Sequence, residues 1–143
     1  MGYARRAAAL TAAGALAFAV APIAAVSSAD AAARVCTATS SIPKPAKTTL
    51  LASGKGTCTG AATANKKLTV RLQVLSSGTW TGVRTVSRTV HNSTAALGPI
   101  QIKYVCHTHT SRPWRVVTTI LETDAANKTL ASNTSTAQRA LKC

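Results

Sequence analysis

The sequence predicts an all-β domain, a small sandwich of two antiparallel sheets held by two disulfides. Three observations carry that expectation. An export leader precedes four cysteines, Cys36, Cys58, Cys106 and Cys143. The residues after the leader alternate between apolar and polar over short runs rich in Val, Thr and Ser, and no run sustains a helical period. Turn-forming residues separate those runs.

Arg5 and Arg6 form a positive n-region, and an alanine-dominated apolar run follows from Ala7 to Val26. Small residues then offer A-x-A cleavage patterns after Ala31 or Ala33. Residues 1–33 therefore read as a signal peptide, and residues 34–143 as one domain of about 110 residues. Pro22 and the weak hydrophobicity of alanine argue against a permanent anchor, so no transmembrane segment is expected after cleavage. The expected location is extracellular, either free or retained at the cell wall. Met1 and Phe18 are the only residues of their types. The core must therefore come from Val, Leu, Ile, Ala, Trp80, Trp114, Tyr104 and the cysteines, and a domain of this size benefits from staples.

Residues 40–49 contain Pro43 and Pro45, which remove ladder donors and predict an extended loop. Leu50 to Thr59 reads as a strand with a bulge or a close approach at Gly54 and Gly56. Lys67 to Leu75 is the clearest strand: Leu68, Val70, Leu72 and Val74 share one face, and Thr69, Arg71 and Gln73 the other. Ser76-Ser77-Gly78 turns the chain into a second arm, Trp80 to Val90. Its alternation breaks near Gly82, which predicts a bulge or an edge position. His91 to Pro99 reads as a loop, and Ile100 to Cys106 as the next alternating strand. After Ser111-Arg112-Pro113, residues 114–121 are apolar on both faces and read as a central strand. The polar segment after Asp124 should supply one more strand. Six or seven short strands without a helix predict an immunoglobulin-like antiparallel sandwich.

Four cysteines in an exported chain read as two disulfides with three possible pairings. The nearest two are 22 positions apart, too far for a zinc site of C-x-x-C type. Cys58 precedes one strongly alternating strand and Cys106 ends another. These positions rank Cys58–Cys106 first, as a bridge between sheets, with Cys36–Cys143 as a clasp near the ends of the domain. The sequential pairing, Cys36–Cys58 with Cys106–Cys143, is the competing solution.

The chain resembles uncharacterised small exported β-sandwich proteins of actinobacteria. The matching pieces are the Ala-rich leader, Gly56-Thr57-Cys58-Thr59-Gly60, the hairpin from Leu72 to Trp80, and Cys106 followed by Trp114-Arg115. The resemblance implies a fold and no activity. The segment Gly78 to Arg84 is also similar to a hairpin of exported bacterial subtilisin inhibitors, although the cysteine positions differ and their disulfide-held reactive loop has no counterpart here.

Beyond the leader lie 15 basic residues (17 less Arg5 and Arg6) and two acidic ones, Glu122 and Asp124 (three less Asp30). A net charge of about +13 favours anionic partners such as wall phosphate polymers, acidic polysaccharides or nucleic acid. Placing the strands of Arg71, Lys103 and Arg115 in one sheet puts these three side chains on one basic outer face, the candidate binding site. Trp80, Trp114 and Tyr104 are assigned to the core. His107 and His109 lie on one side of an extended segment and are weak metal-ligand candidates, with His91 a conceivable third; no carboxylate completes the set, so no metal or other cofactor is expected.

No catalytic residues are assigned. The two carboxylates are two positions apart, and no G-x-S-x-G elbow occurs. The expectation is a non-catalytic secreted protein that binds an anionic envelope or extracellular polymer. The alternatives are an inhibitor of another secreted protein, acting through the 91–99 loop or the Ser76–Gly78 turn, and a small nuclease using His107 or His109 with Glu122.

Overall fold

The computed structural model describes residues 34–43, 45, 48–59, 64–91, 96–108 and 110–143. The leader assigned to residues 1–33, His109 and residues 92–95 of the expected loop lie outside that set. Seven strands are formed: β1 (Val35–Ser41), β2 (Thr49–Thr59), β3 (Asn65–Ser76), β4 (Thr79–Val90), β5 (Leu97–Val105), β6 (Ser111–Thr123) and β7 (Thr129–Lys142). They pair antiparallel in two sheets, β1-β2-β5 and β4-β3-β6-β7. In the constant-type immunoglobulin arrangement the fourth strand joins the sheet of the first, second and fifth. Here β4 instead pairs with β3, which gives three strands facing four.

Alternation sets the inner layer. Leu68, Val70 and Leu72 of β3 meet Trp114, Val116 and Ile120 of β6 and Leu50, Ala52 and Ile102 of the other sheet, all buried. β6 runs between β3 and β7, which explains why its sequence is apolar on both sides. The β3–β4 turn is a two-residue loop, because Ser76 pairs with Thr79. Ser77 (φ 50°) and Gly78 (φ 78°) both adopt the left-handed conformation that a type I′ hairpin needs. The expected bulge falls at Val83: the register jumps from Leu72–Arg84 to Gln73–Gly82.

β2 lies close over the facing sheet at its glycines. A Cβ on Gly54 would overlap Thr118 and come within 2.6 Å of Val70 Cγ2; one on Gly56 would come within 2.7 Å of Ile120 Cδ1. The seam between β1 and β7 is closed by side chains. Ala38 N donates to Asn133 Oδ1 (3.2 Å), and Ser40 N to Ser135 Oγ (3.2 Å). Ser40 Oγ donates to the Ser135 carbonyl (2.8 Å) and lies 2.8 Å from the buried Thr118 Oγ1. β1 itself was not anticipated as a strand, and Leu97–Pro99, expected in a loop, belongs to β5.

The disulfides correct the first-ranked pairing. The bonds are Cys36–Cys58 and Cys106–Cys143, not Cys58–Cys106 and Cys36–Cys143. Cys106 follows the fifth strand, which is a neighbour of β2 within one sheet, rather than the sixth strand across the sandwich. It sits at the wrong end of β2: Cys106 N donates to the Thr48 carbonyl at 2.7 Å. Ten residues of extended chain separate Thr48 from Cys58, roughly 33 Å, whereas a disulfide requires Cα atoms within about 7 Å. Cys36 lies directly opposite Cys58 in the β1–β2 ladder. The bridges therefore mark opposite poles of the sandwich, and Cys106–Cys143 ties the end of β5 to the end of β7, joining the two sheets.

The Cys36–Cys58 pole contains a buried charge cluster. Lys66 and Glu122 face each other across β3 and β6, and neither exposes surface. Arg34 Nη1 donates to Glu122 Oε1 at 3.3 Å, and Lys66 Nζ to the Cys58 carbonyl at 3.4 Å. Glu122 Oε2 has no partner among the described residues.

Two stability predictions arise. The disulfides span sequence separations of 22 and 37 residues, so removing either as a Cys→Ala pair should cost about 3–4 kcal/mol in urea unfolding; non-reducing peptide mapping should recover only the two sequential bridges. Glu122→Ala strands Lys66 without a neighbouring anion and should cost about 3–5 kcal/mol. Combining Glu122→Ala with Lys66→Met should cost less than the sum of the two single variants.

Candidate binding face

Directly opposed residues of antiparallel strands point to the same side of a sheet. The outer face of β4-β3-β6-β7 can therefore be read from its register. One row crosses the sheet as Ser87, Thr69, Thr119 and Thr134, a line of hydroxyls on four strands. Thr69 Oγ1 and Ser87 Oγ are 3.0 Å apart, and Thr119 Oγ1 and Thr134 Oγ1 3.2 Å. Arg71 stands in the next row, opposite Val117 and Thr85. In the row beyond, Arg115 lies opposite Gln73 and Gln138. Arg71 and Arg115 are thus diagonal neighbours with backbones about 7–8 Å apart. Lys67 extends the same face two rows from Arg71 in the other direction and is exposed.

Arg115 is held in place. Its Nε donates to Gln73 Oε1 at 2.7 Å, and its guanidinium carbon lies 4.3 Å over the Trp80 ring. The side chain therefore crosses β3 to reach β4. Trp80 is half-buried on this outer face and is not a core residue. Trp114 is buried, and Tyr104 packs on it with ring centroids 5.3 Å apart, as expected for the core.

Lys103 does not belong to this face. Its strand, β5, lies in the three-stranded sheet, so Lys103 points outward on the opposite side of the sandwich, beside exposed Leu51. The misplacement arose from putting consecutive alternating strands in one sheet. A Greek-key crossover instead sends the chain from β4 to the other layer. The Lys103 carbonyl accepts a hydrogen bond from Arg84 Nη1 (3.1 Å), which bridges the two sheets at the β4–β5 seam.

Neither Glu122 nor Asp124 forms an ion pair with Lys67, Arg71 or Arg115. Glu122 is buried and paired with Arg34, the one ion pair among the described residues. Asp124 Oδ1 accepts the backbone N–H groups of Ala126 (2.9 Å) and Lys128 (2.8 Å), closing the β6–β7 turn.

The other constellations do not assemble among the described residues, which leave out His109. His91 Nδ1 lies 2.9 Å from Asn65 Oδ1 at the Cys36–Cys58 pole. His107 stands edge-on to Tyr104, 6.3 Å between centroids, next to Cys106 at the other pole. His91 therefore cannot join His107 in a metal site, and His107 and Glu122 are at opposite ends of the sandwich, so they do not form an acid–base pair. Cys36, Cys58 and Glu122 bring their ligand atoms within 4.8 Å of one another, but both sulfurs are spent in the disulfide and Arg34 occupies the carboxylate.

Comparison with protein-family models, curated proteins and solved structures finds no match for the chain. The geometry of the face carries the functional argument.

Arg115→Ala should expose Trp80 while Trp114 stays buried. Acrylamide should then quench a larger share of tryptophan emission, and loss of the cation–π contact should cost about 0.5–1 kcal/mol of stability.

Proposed function

We propose that the chain is a non-catalytic secreted protein that binds an anionic polymer of the cell envelope or extracellular medium through the outer face of β4-β3-β6-β7. One observation carries this reading: Lys67, Arg71 and Arg115 share a hydroxyl-rich face, and none of them forms an ion pair among the described residues. Cations without internal counter-charges attract polyanions over long range. The threonine and serine rows add uncharged donors and acceptors suited to sugar hydroxyls or phosphate oxygens. The opposite outer face is a poorer candidate, because Lys55 and Lys103 share it with exposed Leu51, Val105 and Val35. The leader and the two disulfides support an extracellular location. No helix among the described residues is long and apolar enough to cross a membrane.

Retention on immobilised heparin and on purified wall polymer should fall steeply with salt. Replacing Arg71 and Arg115 together by Ala should reduce the slope of log affinity against log salt by roughly 1.4–1.8, a little under one unit per lost contact. Lys103→Ala should leave the slope nearly unchanged. Salt-independent retention, or equal effects of Lys103→Ala and the double variant, would remove the proposal.

A further inference from the structure

At the Cys36–Cys58 end of the basic face the surface is concave. A cavity of about 260 Å³ is framed by Asn65, Lys67, Thr89, His91, Thr123 and Asn127, with Leu121 among its walls. It forms where β3 begins and where β4 and β6 end, so three strands and the β6–β7 turn contribute side chains. Asn127 enters from that turn in the left-handed conformation (φ 63°), with its N–H bonded to the Asp124 carbonyl at 3.0 Å. The side-chain oxygen Asn65 Oδ1 accepts from His91 Nδ1 at 2.9 Å. That contact fixes the imidazole plane and leaves Nε2 as the ring nitrogen able to meet a ligand.

The chemistry of the lining restricts what fits. Lys67 supplies a cation, and no carboxylate of the described residues lines the cavity to cancel it. Thr89, Thr123, Asn127 and His91 supply groups that both donate and accept hydrogen bonds, as a polyhydroxylated ring requires. Leu121 offers an apolar patch for ring C–H groups. A bare oxyanion would leave Leu121 facing water, and an apolar ligand would leave the polar groups without partners. The volume lies just below the range for drug-sized ligands and suits one sugar ring.

The geometry points to a subsite for a single pyranose unit carrying an exocyclic oxyanion, either a carboxylate or a phosphate ester, with the anion at Lys67. This assignment rests on the polymer-binding reading and specifies its ligand. Lys67 and Arg71 are four residues apart on β3, roughly 13 Å, so a chain seated in the cavity would continue along the strand over Thr69 toward Arg71 and Arg115.

The test is an amide-shift titration of the ¹⁵N-labelled domain, residues 34–143 with both disulfides formed. The probes are glucuronate, glucose 6-phosphate, neutral glucose and inorganic phosphate. Saturable shifts clustered at Asn65, His91, Thr123 and Asn127 with either sugar anion support the subsite, and the better of the two identifies the source as uronate or sugar phosphate. Lys67→Met should weaken that binding about tenfold or more, as expected for a lost charged hydrogen bond. His91→Ala should weaken it as well, whereas Lys103→Ala, on the opposite outer face, should stay within about twofold of the parent. Absence of saturable shifts with both sugar anions overturns the assignment. So does an equal response to neutral glucose or to inorganic phosphate, or a response unaffected by Lys67→Met. If heparin retention depends on Arg71 and Arg115 while the cavity stays silent, the subsite fails and the polymer reading stands. If the cavity responds while those arginines do not affect retention, the polymer face fails and the subsite stands.

Discussion

The contact of β2 with the β3–β6 pair is the constraint on which the sandwich depends. Gly54 and Gly56 admit Thr118, Val70, Ile120 and Leu68 into space that any side chain would take. A core without phenylalanine or methionine cannot fill a wide gap between sheets, so the layers must approach and interlock at native density. The close approach also fixes the phase of each strand. A shift of one residue would turn Lys67 and Arg71 inward and Leu68 and Val70 outward, exchanging core for surface. The basic face is thus the reverse side of the same alternation that makes the core.

Electrostatics works against this compactness. The cations on the outer surfaces repel one another, and Lys66 and Glu122, both fully buried, add the cost of desolvating charge. The two disulfides counter this at opposite poles by limiting how far the unfolded chain can expand. Their placement leaves the middle of the outer face free of covalent constraint, and that middle is occupied by hydroxyls, Arg71 and Arg115. Structural demands gather at the ends of the sandwich, and the rows of hydroxyls and arginines lie across its breadth.

Much of this was legible in the sequence where the signal was local. Alternation located β3 and β5; an apolar run on both faces located β6; Ser77-Gly78 marked the hairpin; the broken parity near Gly82 marked the bulge. β1 was missed because its inward residues, Cys36, Ala38 and Ser40, are small or polar and produce no hydrophobic period. It is held by the β2 ladder and the Cys36–Cys58 bond, and on its other side by partners about 95 residues away, Asn133 and Ser135. The sheet membership of Lys103 and the disulfide partners likewise depend on which strands become neighbours, and periodicity carries no such information. Trp80 was misjudged for a related reason: an aromatic residue on an alternating strand reads as core until the register shows it beside Arg115. Two of the three proposed basic residues nevertheless share a face, because Arg71 and Arg115 lie on strands that pair directly.

The bulge at Val83 has a consequence for how this protein behaves among copies of itself. β4 is a twelve-residue edge strand of mostly Thr, Val and Ser, the composition that would otherwise recruit another strand and grow into fibres. The extra residue interrupts the regular spacing of backbone donors and acceptors. Arg84 and Arg88, opposite Leu72 and Leu68, place charge on the side of the strand where an incoming chain would need apolar cover. Where copies of the chain crowd together these edges meet, and the bulge and the arginines of β4 oppose their pairing, so that crowding does not become polymerisation.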